Sequence, residues 1–284
     1  MGYDLNKILV LGASGYIGFG IYTKLIDQNY NCIGTSKTQN LPFFKLNLLN
    51  KKKIQKLFKI IKPTLIVHCA NNIPNQKINF YENYKITSNI LKYSQRIPII
   101  FFSSMTIYNE SKKKIFSEKN HIKINRIKNS YAYYKKKTEE LILKRKLKGD
   151  VCVRIPGVFG ALRHTGIVSH IISSLLRNKN ISIKFKKENW SAIYYDHLLE
   201  LILKIIKSNN IYQSTIVNVA YKRKVSIPIL LKKICKKMNK KMPQILKNDF
   251  KVTKFCVKNF ESKFGKIYFT FDKGLDLMIK NVDR

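Results

Sequence analysis

The first apolar run of the chain, Ile8-Leu9-Val10-Leu11, is short, rich in branched side chains and hydrophobic at every position. Apolarity at successive positions, without alternation, predicts a strand buried on both faces, as in a parallel sheet. The period then changes. Residues 16–28 read as a helix, 31–34 as a second strand, 51–61 as an amphipathic helix and 65–68 as another strand. A helix over 80–94, a strand over 99–103, a helix over 131–146 and a strand over 151–155 continue the alternation. Strands alternating with helices of that length predict an α/β fold, a doubly wound parallel sheet of the Rossmann kind, for residues 1–155.

After Pro156 the pattern loosens. A helix is expected over 167–177, a strand over 181–185, then the run Ile193-Tyr194-Tyr195 and a helix reaching 207. Helices over 227–238 and near Leu275 follow. Residues 156–284 are read mainly as a smaller C-terminal substrate-binding lobe, with 190–220 returning to the first domain. No internal repeat and no Gly/Ser or Pro linker marks the boundary.

Composition narrows the class. In 284 residues, 45% are hydrophobic, too many for a disordered chain. No apolar run approaches the roughly 20 residues of a membrane helix, so no membrane insertion is expected. The first residues lack the basic-then-apolar layout of a secretory signal, and a cytoplasmic location is expected. The five cysteines are scattered and never spaced CxxC, which suggests neither disulfides nor a zinc site. The five histidines show no ligand spacing, and no metal is expected. Lys+Arg outnumber Asp+Glu by 55 to 16, a net charge of +39. The excess is nearly all Lys and spread along the whole chain, whereas base and phosphate readers favour Arg. The charge is read as compositional bias that draws in an anionic substrate, not as a nucleic-acid surface.

Gly12-Ala13-Ser14-Gly15-Tyr16-Ile17-Gly18 lies between the first strand and the first helix. Glycines spaced GxxGxxG there allow a tight turn, a close approach of backbone N–H groups to a pyrophosphate, and helix-on-strand packing. Where an acidic residue would grip an adenosine ribose, the second strand ends Gly34-Thr35-Ser36-Lys37. Hydroxyls with Ser36 and Lys37 can take a 2′-phosphate that a carboxylate would repel, which favours NADP(H) over NAD(H). Tyr131 and Lys135 are spaced YxxxK on a predicted helix, so the ammonium can favour the phenolate. Ser104, at the carboxyl end of its strand, stands where ligands collect in open α/β sheets.

These features resemble the extended short-chain dehydrogenase/reductases, the NAD-dependent epimerase/dehydratase family. Val67-His68-Cys69-Ala70 is similar to its VxHxAA, and Asn83, Thr87 and Asn89 to its NxxxTxN. Phe102 to Tyr108 resembles SSxxVYG, Tyr131 to Glu139 YxxxKxxxE, Arg154 to Gly160 RPxxVYG, and Ile193 to Asp196 IHVDD. Asn218-Val219-Ala220 with Ser226, Phe264-Gly265 and Gly274-Leu275 match later motifs.

The resemblance implies hydride transfer on a nucleotide-activated sugar, with Tyr131 as acid/base, Ser104 placing the reacting oxygen, and Lys135 also holding the nicotinamide ribose. It implies further cofactor contacts at Asn47, Cys69, Ala70, Asn71, Asn83 and Pro156. Met105 and Thr106, expected beside the substrate with Ser104, stand where dehydratases carry Asp-Glu, which disfavours dehydration. Trp190 occupies the place of an Arg on the substrate diphosphate, a role Arg163 or a neighbouring Lys can take. A homodimer through the helices at 80–94 and 131–146 is also implied.

The leading expectation is an NADP(H)-dependent 4-ketoreductase of a nucleotide-linked 4-keto-6-deoxy sugar, serving polysaccharide synthesis. The alternative is a 4-epimerase that retains NAD. The alternative of another class is a non-catalytic, cofactor-sensing Rossmann protein whose basic surface binds a partner.

Overall fold

The computed structural model describes residues 7–71, 79–111, 113, 115–120, 122–160, 166–177, 191–208, 212–223, 225–242 and 254–280. In chain order the elements of its first half are β1 (Ile8–Leu11), α1 (Tyr16–Asp27), β2 (Cys32–Ser36), β3 (Phe44–Lys45), α2 (Lys51–Ile61), β4 (Leu65–His68), α3 (Tyr81–Tyr93), β5 (Ile99–Ser104), β6 (Ile115–Phe116), α4 (Ser130–Leu143) and β7 (Val151–Ile155). The second half adds β8 (Gly157–Phe159), α5 (Ile167–Leu176), β9 (Ala192–Tyr194), α6 (Tyr195–Lys207), β10 (Thr215–Asn218), α7 (Ile227–Lys237), β11 (Lys254–Phe255), α8 (Lys258–Phe264) and α9 (Phe271–Lys280).

Seven strands form the central sheet in the order β10-β7-β5-β4-β1-β2-β3, with β1 parallel to β2 and to β4, and β4 parallel to β5. Every residue of β1, β4 and β5 is buried, as expected of strands covered by helices on both faces. Helix starts follow from side-chain caps. Asn50 accepts from the Lys53 N–H ahead of α2, and Asn129 from the Ala132 N–H ahead of α4, satisfying donors that the helix leaves open.

The chain divides into two units. The first comprises Met1–Glu110, His121–Arg154 and Ile202–Val217; the second comprises Ser111–Asn120, Ile155–Leu201 and Asn218–Arg284. The excursion at 111–120 belongs to the second unit because β6 pairs with β11, and the Asn218 amide donates to the carbonyls of Phe116 (3.3 Å) and Cys256 (3.0 Å). Within the second unit β8 and β9 are parallel. Tyr221 ties β9 to α6: its hydroxyl accepts from the Tyr194 N–H at 3.0 Å and meets His197 Nδ1 at 2.7 Å. Gly274 lets α9 close on this cluster, since a Cβ there would stand 2.5 Å from Tyr194 Cβ.

The short strands β3, β6, β8 and β11 and the strand β10 are absent from the sequence expectation. The strand expected over 181–185 lies outside the described residues.

Candidate active site

The order of strands reverses at β1, with β4 on one side and β2 on the other, and a crevice opens there at the carboxyl ends. Gly12 makes the turn out of β1 with φ +79°, and a Cβ on it would lie 2.7 Å from the Ala70 backbone. At Gly18 a Cβ would meet the Gly12 carbonyl, so α1 packs directly on the turn. Gly15 caps α1 without a side-chain bond, and a Cβ there would meet only the Gly12 carbonyl, at 3.3 Å. Gly15 thus leaves room in front of the start of a twelve-residue helix, a place suited to an anion.

A cavity of about 210 Å³ lies in front of this helix start. Of the residues expected from sequence, Gly12, Ser14, Gly15, Lys37 and Asn47 line it, as do Cys69, Ala70 and Asn71. Ser36 is buried beneath: its hydroxyl receives the Ser14 hydroxyl at 2.8 Å and the N–H groups of Thr38 and Gln39. It shapes the turn that exposes Lys37. Tyr16 and Ile17 lie in the first turn of α1, and Asn83 is buried in α3. The Asn71 side-chain oxygen is buried and accepts no hydrogen bond among the described residues. An open helix start, space at Gly15 and an orphaned acceptor fit a dinucleotide phosphate and its hydroxyls.

Sequence reasoning missed how the far wall is held. Asn89 donates its amide to the carbonyls of Leu48 (3.2 Å) and Leu49 (3.5 Å), fixing the segment that lines the cavity beside Asn47. Thr87 donates to the Asn83 carbonyl and lies 3.0 Å from His68 Nε2, which ties α3 to β4. Burial, with the Lys135 charge adding to it, pushes the His68 imidazole down to about 3, so the ring is neutral and structural. Glu82, also missed, puts a carboxylate in the lining; only its place in the fold reveals it.

Tyr131, Lys135 and Glu139 fall at successive i, i+4 positions of α4 and share one face. Lys135 is buried. Its ammonium donates to the Phe102 carbonyl at 2.5 Å and lies 5.5 Å from the Tyr131 ring centroid. Burial pushes this ammonium down to about 7, opposed by Cys69, Glu139 and Cys152. Both thiols are themselves held well above their ordinary value by burial. Glu139 is the one carboxylate of these three, and Arg154 holds it at 2.6 Å. Tyr131 packs edge-on to Phe80. Ser104 ends β5, 8% exposed, and its oxygen receives the Thr106 N–H (3.2 Å) and hydroxyl (2.9 Å). Met105 is buried in the same turn.

Pro156 belongs to the second unit. Arg163 and Trp190 lie outside the described residues. Among the described residues no three His, Cys, Asp or Glu side chains cluster as a metal ion requires, and no helix is long and apolar enough to cross a membrane.

A glycine turn between strand and helix at the reversal point of a doubly wound parallel sheet defines a Rossmann-like fold. Residues 8–220 match the NAD dependent epimerase/dehydratase family, and the chain belongs to it. The chain is 24% identical to CDP-abequose synthase of Salmonella muenchen over 218 residues, 72% of this chain and 71% of that protein. It is 33% identical over 138 residues to the bifunctional polymyxin resistance protein ArnA of Wigglesworthia glossinidia brevipalpis, covering 41% of this chain and only 21% of that longer protein. In structure it is similar to WbmG of Bordetella bronchiseptica, solved in complex with NAD, with a TM-score of 0.83 at 15% identity over 98% of this chain and 94% of that one.

Proposed function

We propose that this chain reduces the keto group of a nucleotide-linked 4-keto-6-deoxy sugar, with NADP(H) as the exchangeable cofactor. The carrying observation is the α4 stripe: Tyr131 stands one turn from a buried Lys135 that is pinned to the carbonyl of Phe102, two residues before Ser104. Family membership and the CDP-abequose synthase likeness support the nucleotide sugar.

Bound NADPH supplies the hydride. The chain's own groups handle the oxygen: Ser104 hydrogen-bonds the carbonyl, Tyr131 delivers the proton that completes the alcohol, and Lys135 offsets the charge left on the phenolate. Met105 and Thr106 offer no second acid and base after Ser104, so elimination of water is not served. Gly12, Ser14 and Gly15 hold the pyrophosphate, while Lys37 receives the 2′-phosphate. Asn47, Cys69, Ala70 and Asn71 complete the cofactor wall. The role belongs to surface-polysaccharide synthesis in the cytoplasm. A second copy pairs through α3 and α4, where Tyr81, 45% exposed, contacts Tyr84 and Tyr134.

A second reading, a 4-epimerase that retains NAD, is favoured by Glu82, the carboxylate facing the same cavity as Lys37. Acid release of any bound cofactor, its identification by mass, and titration of the apoprotein with NADPH and NADH separate the two. An empty site that prefers NADPH supports the reductase. Tightly retained NAD makes the epimerase the better reading.

A further inference from the structure

Directly behind the end of β5 lies a buried polar network with no assigned role. Glu139 is 0% and Arg154 2% exposed. The guanidinium grips the carboxylate with two hydrogen bonds, Nε to Oε1 at 2.8 Å and Nη2 to Oε2 at 2.6 Å. Its third arm donates from Nη1 to the Tyr108 hydroxyl at 2.8 Å. Glu139 Oε1 also accepts the Ser103 hydroxyl at 2.6 Å.

The placement of these bonds is what matters. Ser103 precedes Ser104 directly, and Tyr108 ends the short 3-10 turn Met105–Tyr108 that follows it. Arg154, on β7, reaches both sides of Ser104 at once: the strand side through Glu139 and Ser103, the turn side through Tyr108. Lys135, one turn of α4 before Glu139, adds a bond to the Phe102 carbonyl. Three consecutive residues of β5 thus end in a fixed geometry, two of them held by α4.

We infer that Glu139 and Arg154, with Ser103 and Tyr108 as their contacts, are positioning residues that hold the Ser104 hydroxyl in register with Tyr131. The inference rests on the proposed roles of Ser104 and Tyr131. Its physical basis is that orientation within a fraction of an ångström controls rate, a 1 Å misplacement costing about 100-fold. A buried charge pair is retained at a desolvation cost that a hydrophobic pair would not carry, so stability alone is a weak reason for it. A second consequence concerns Lys135. The titratable groups interacting with it are Glu139 on its own helix, His68 and Cys69 at the end of β4, and Cys152 on β7, with the Tyr131 ring 5.5 Å away. Among these groups the Glu139 carboxylate, itself held by the Arg154 guanidinium at 2.6 Å, favours the charged ammonium against burial.

The test uses full-length protein with Ser103→Ala and Tyr108→Phe, which each remove one hydroxyl and leave the ion pair whole, and Glu139→Gln, which removes the charge. Circular dichroism establishes that each is folded. The expected result for Ser103→Ala and Tyr108→Phe is a loss of about 10-fold in kcat with KM and the NADPH dissociation constant unchanged. For Glu139→Gln, the NMR titration of the Lys135 side chain in the apoprotein, assigned by difference from Lys135→Met, moves down by about one pH unit or more.

Unchanged kcat in both hydroxyl variants overturns the inference. So does a Lys135 titration that stays in place in a folded Glu139→Gln protein. If Glu139→Gln does not fold, the hydroxyl variants decide. Tyr131→Phe serves as the reference: if it retains full turnover, the proposed acid/base role fails, and the titration alone then decides the effect of Glu139 on Lys135.

Discussion

Lys135 Nζ lies 5.5 Å from the centroid of the Tyr131 ring, one turn along α4, while its bond to the Phe102 carbonyl keeps it from swinging away. The ammonium can stabilise a phenolate at that range only while it is charged. Burial has brought its discharge from the ordinary 10.5 to about 7.

Turnover in the reducing direction is therefore expected to fall as pH rises through about 7. Lys135→Met should be slower by about 100-fold at pH 6, within the range for losing acid/base assistance, and its profile should lack that limb. Steady-state kcat from pH 5 to 9 for both proteins checks this. A limb that persists in Lys135→Met belongs to another group.

The proposed preference for NADP(H) rests on Lys37, exposed just after β2 beside the half-buried Ser14 hydroxyl and the buried Ser36 hydroxyl it meets. Lys37→Glu is expected to weaken NADPH binding by about 10-fold or more, from the loss of a charge-assisted contact and the gain of a repulsive one. NADH binding should hold or improve. The difference should shrink at high salt, because an exposed charge is screened. Fluorescence titration with the two cofactors at two ionic strengths measures it, and equal losses for both would remove Lys37 from 2′-phosphate recognition.

The core of this arrangement was legible because its residues signal locally. Ile8 to Leu11 and Leu65 to His68 are runs too apolar to be anything but buried strands, and the Gly12 turn between strand and helix announces its own geometry. Strands β3, β6, β8 and β11 span only two or three residues each and have no period to read. What else holds Ser36 was not legible: a hydroxyl at a strand end can face a ligand or satisfy its own turn, and here its oxygen accepts from the Thr38 and Gln39 N–H groups. The grip of Asn89 on Leu48, 41 positions away in sequence, and that of Arg154 on Tyr108, 46 positions away, depend on the assembled sheet. No spacing rule reaches that far.

Gly12 and Gly15 occupy the same turn but are expected to fail differently. Gly12→Ala places a Cβ 2.7 Å from the Ala70 backbone at φ +79°, so two backbone segments would have to part. A left-handed residue alone costs about 1–2 kcal/mol, and the clash adds to it. The variant should be recovered poorly, with a clearly lowered melting temperature. Gly15→Ala meets only the Gly12 carbonyl, at 3.3 Å; it should fold and lose cofactor affinity, because the methyl group enters the space offered to the pyrophosphate. Thermal melts with and without NADPH distinguish the two.

Acid stability provides a further check, carried by two buried groups with opposite signs. The His68 imidazole titrates at about 3 in the folded protein against an ordinary 6.5, so between those values the unfolded chain binds the extra proton. Its contribution is fully present above about 6.5 and is lost as pH falls toward 3. Asp150 is the converse: burial raises its carboxyl from 3.8 to about 7, against the pull of Arg145 and the Ile99 N–H. The folded state therefore binds the extra proton there, and Asp150 favours folding as pH falls through that window. Because the two slopes oppose, the wild-type curve alone identifies neither. His68→Gln keeps a donor for the Thr87 hydroxyl and removes the titration, so urea unfolding should show a loss of stability at pH 7 but a shallower decline toward pH 4. Asp150→Asn should make the decline steeper. Parallel curves for wild type and His68→Gln would mean that His68 is not the neutral, buried ring that ties α3 to β4.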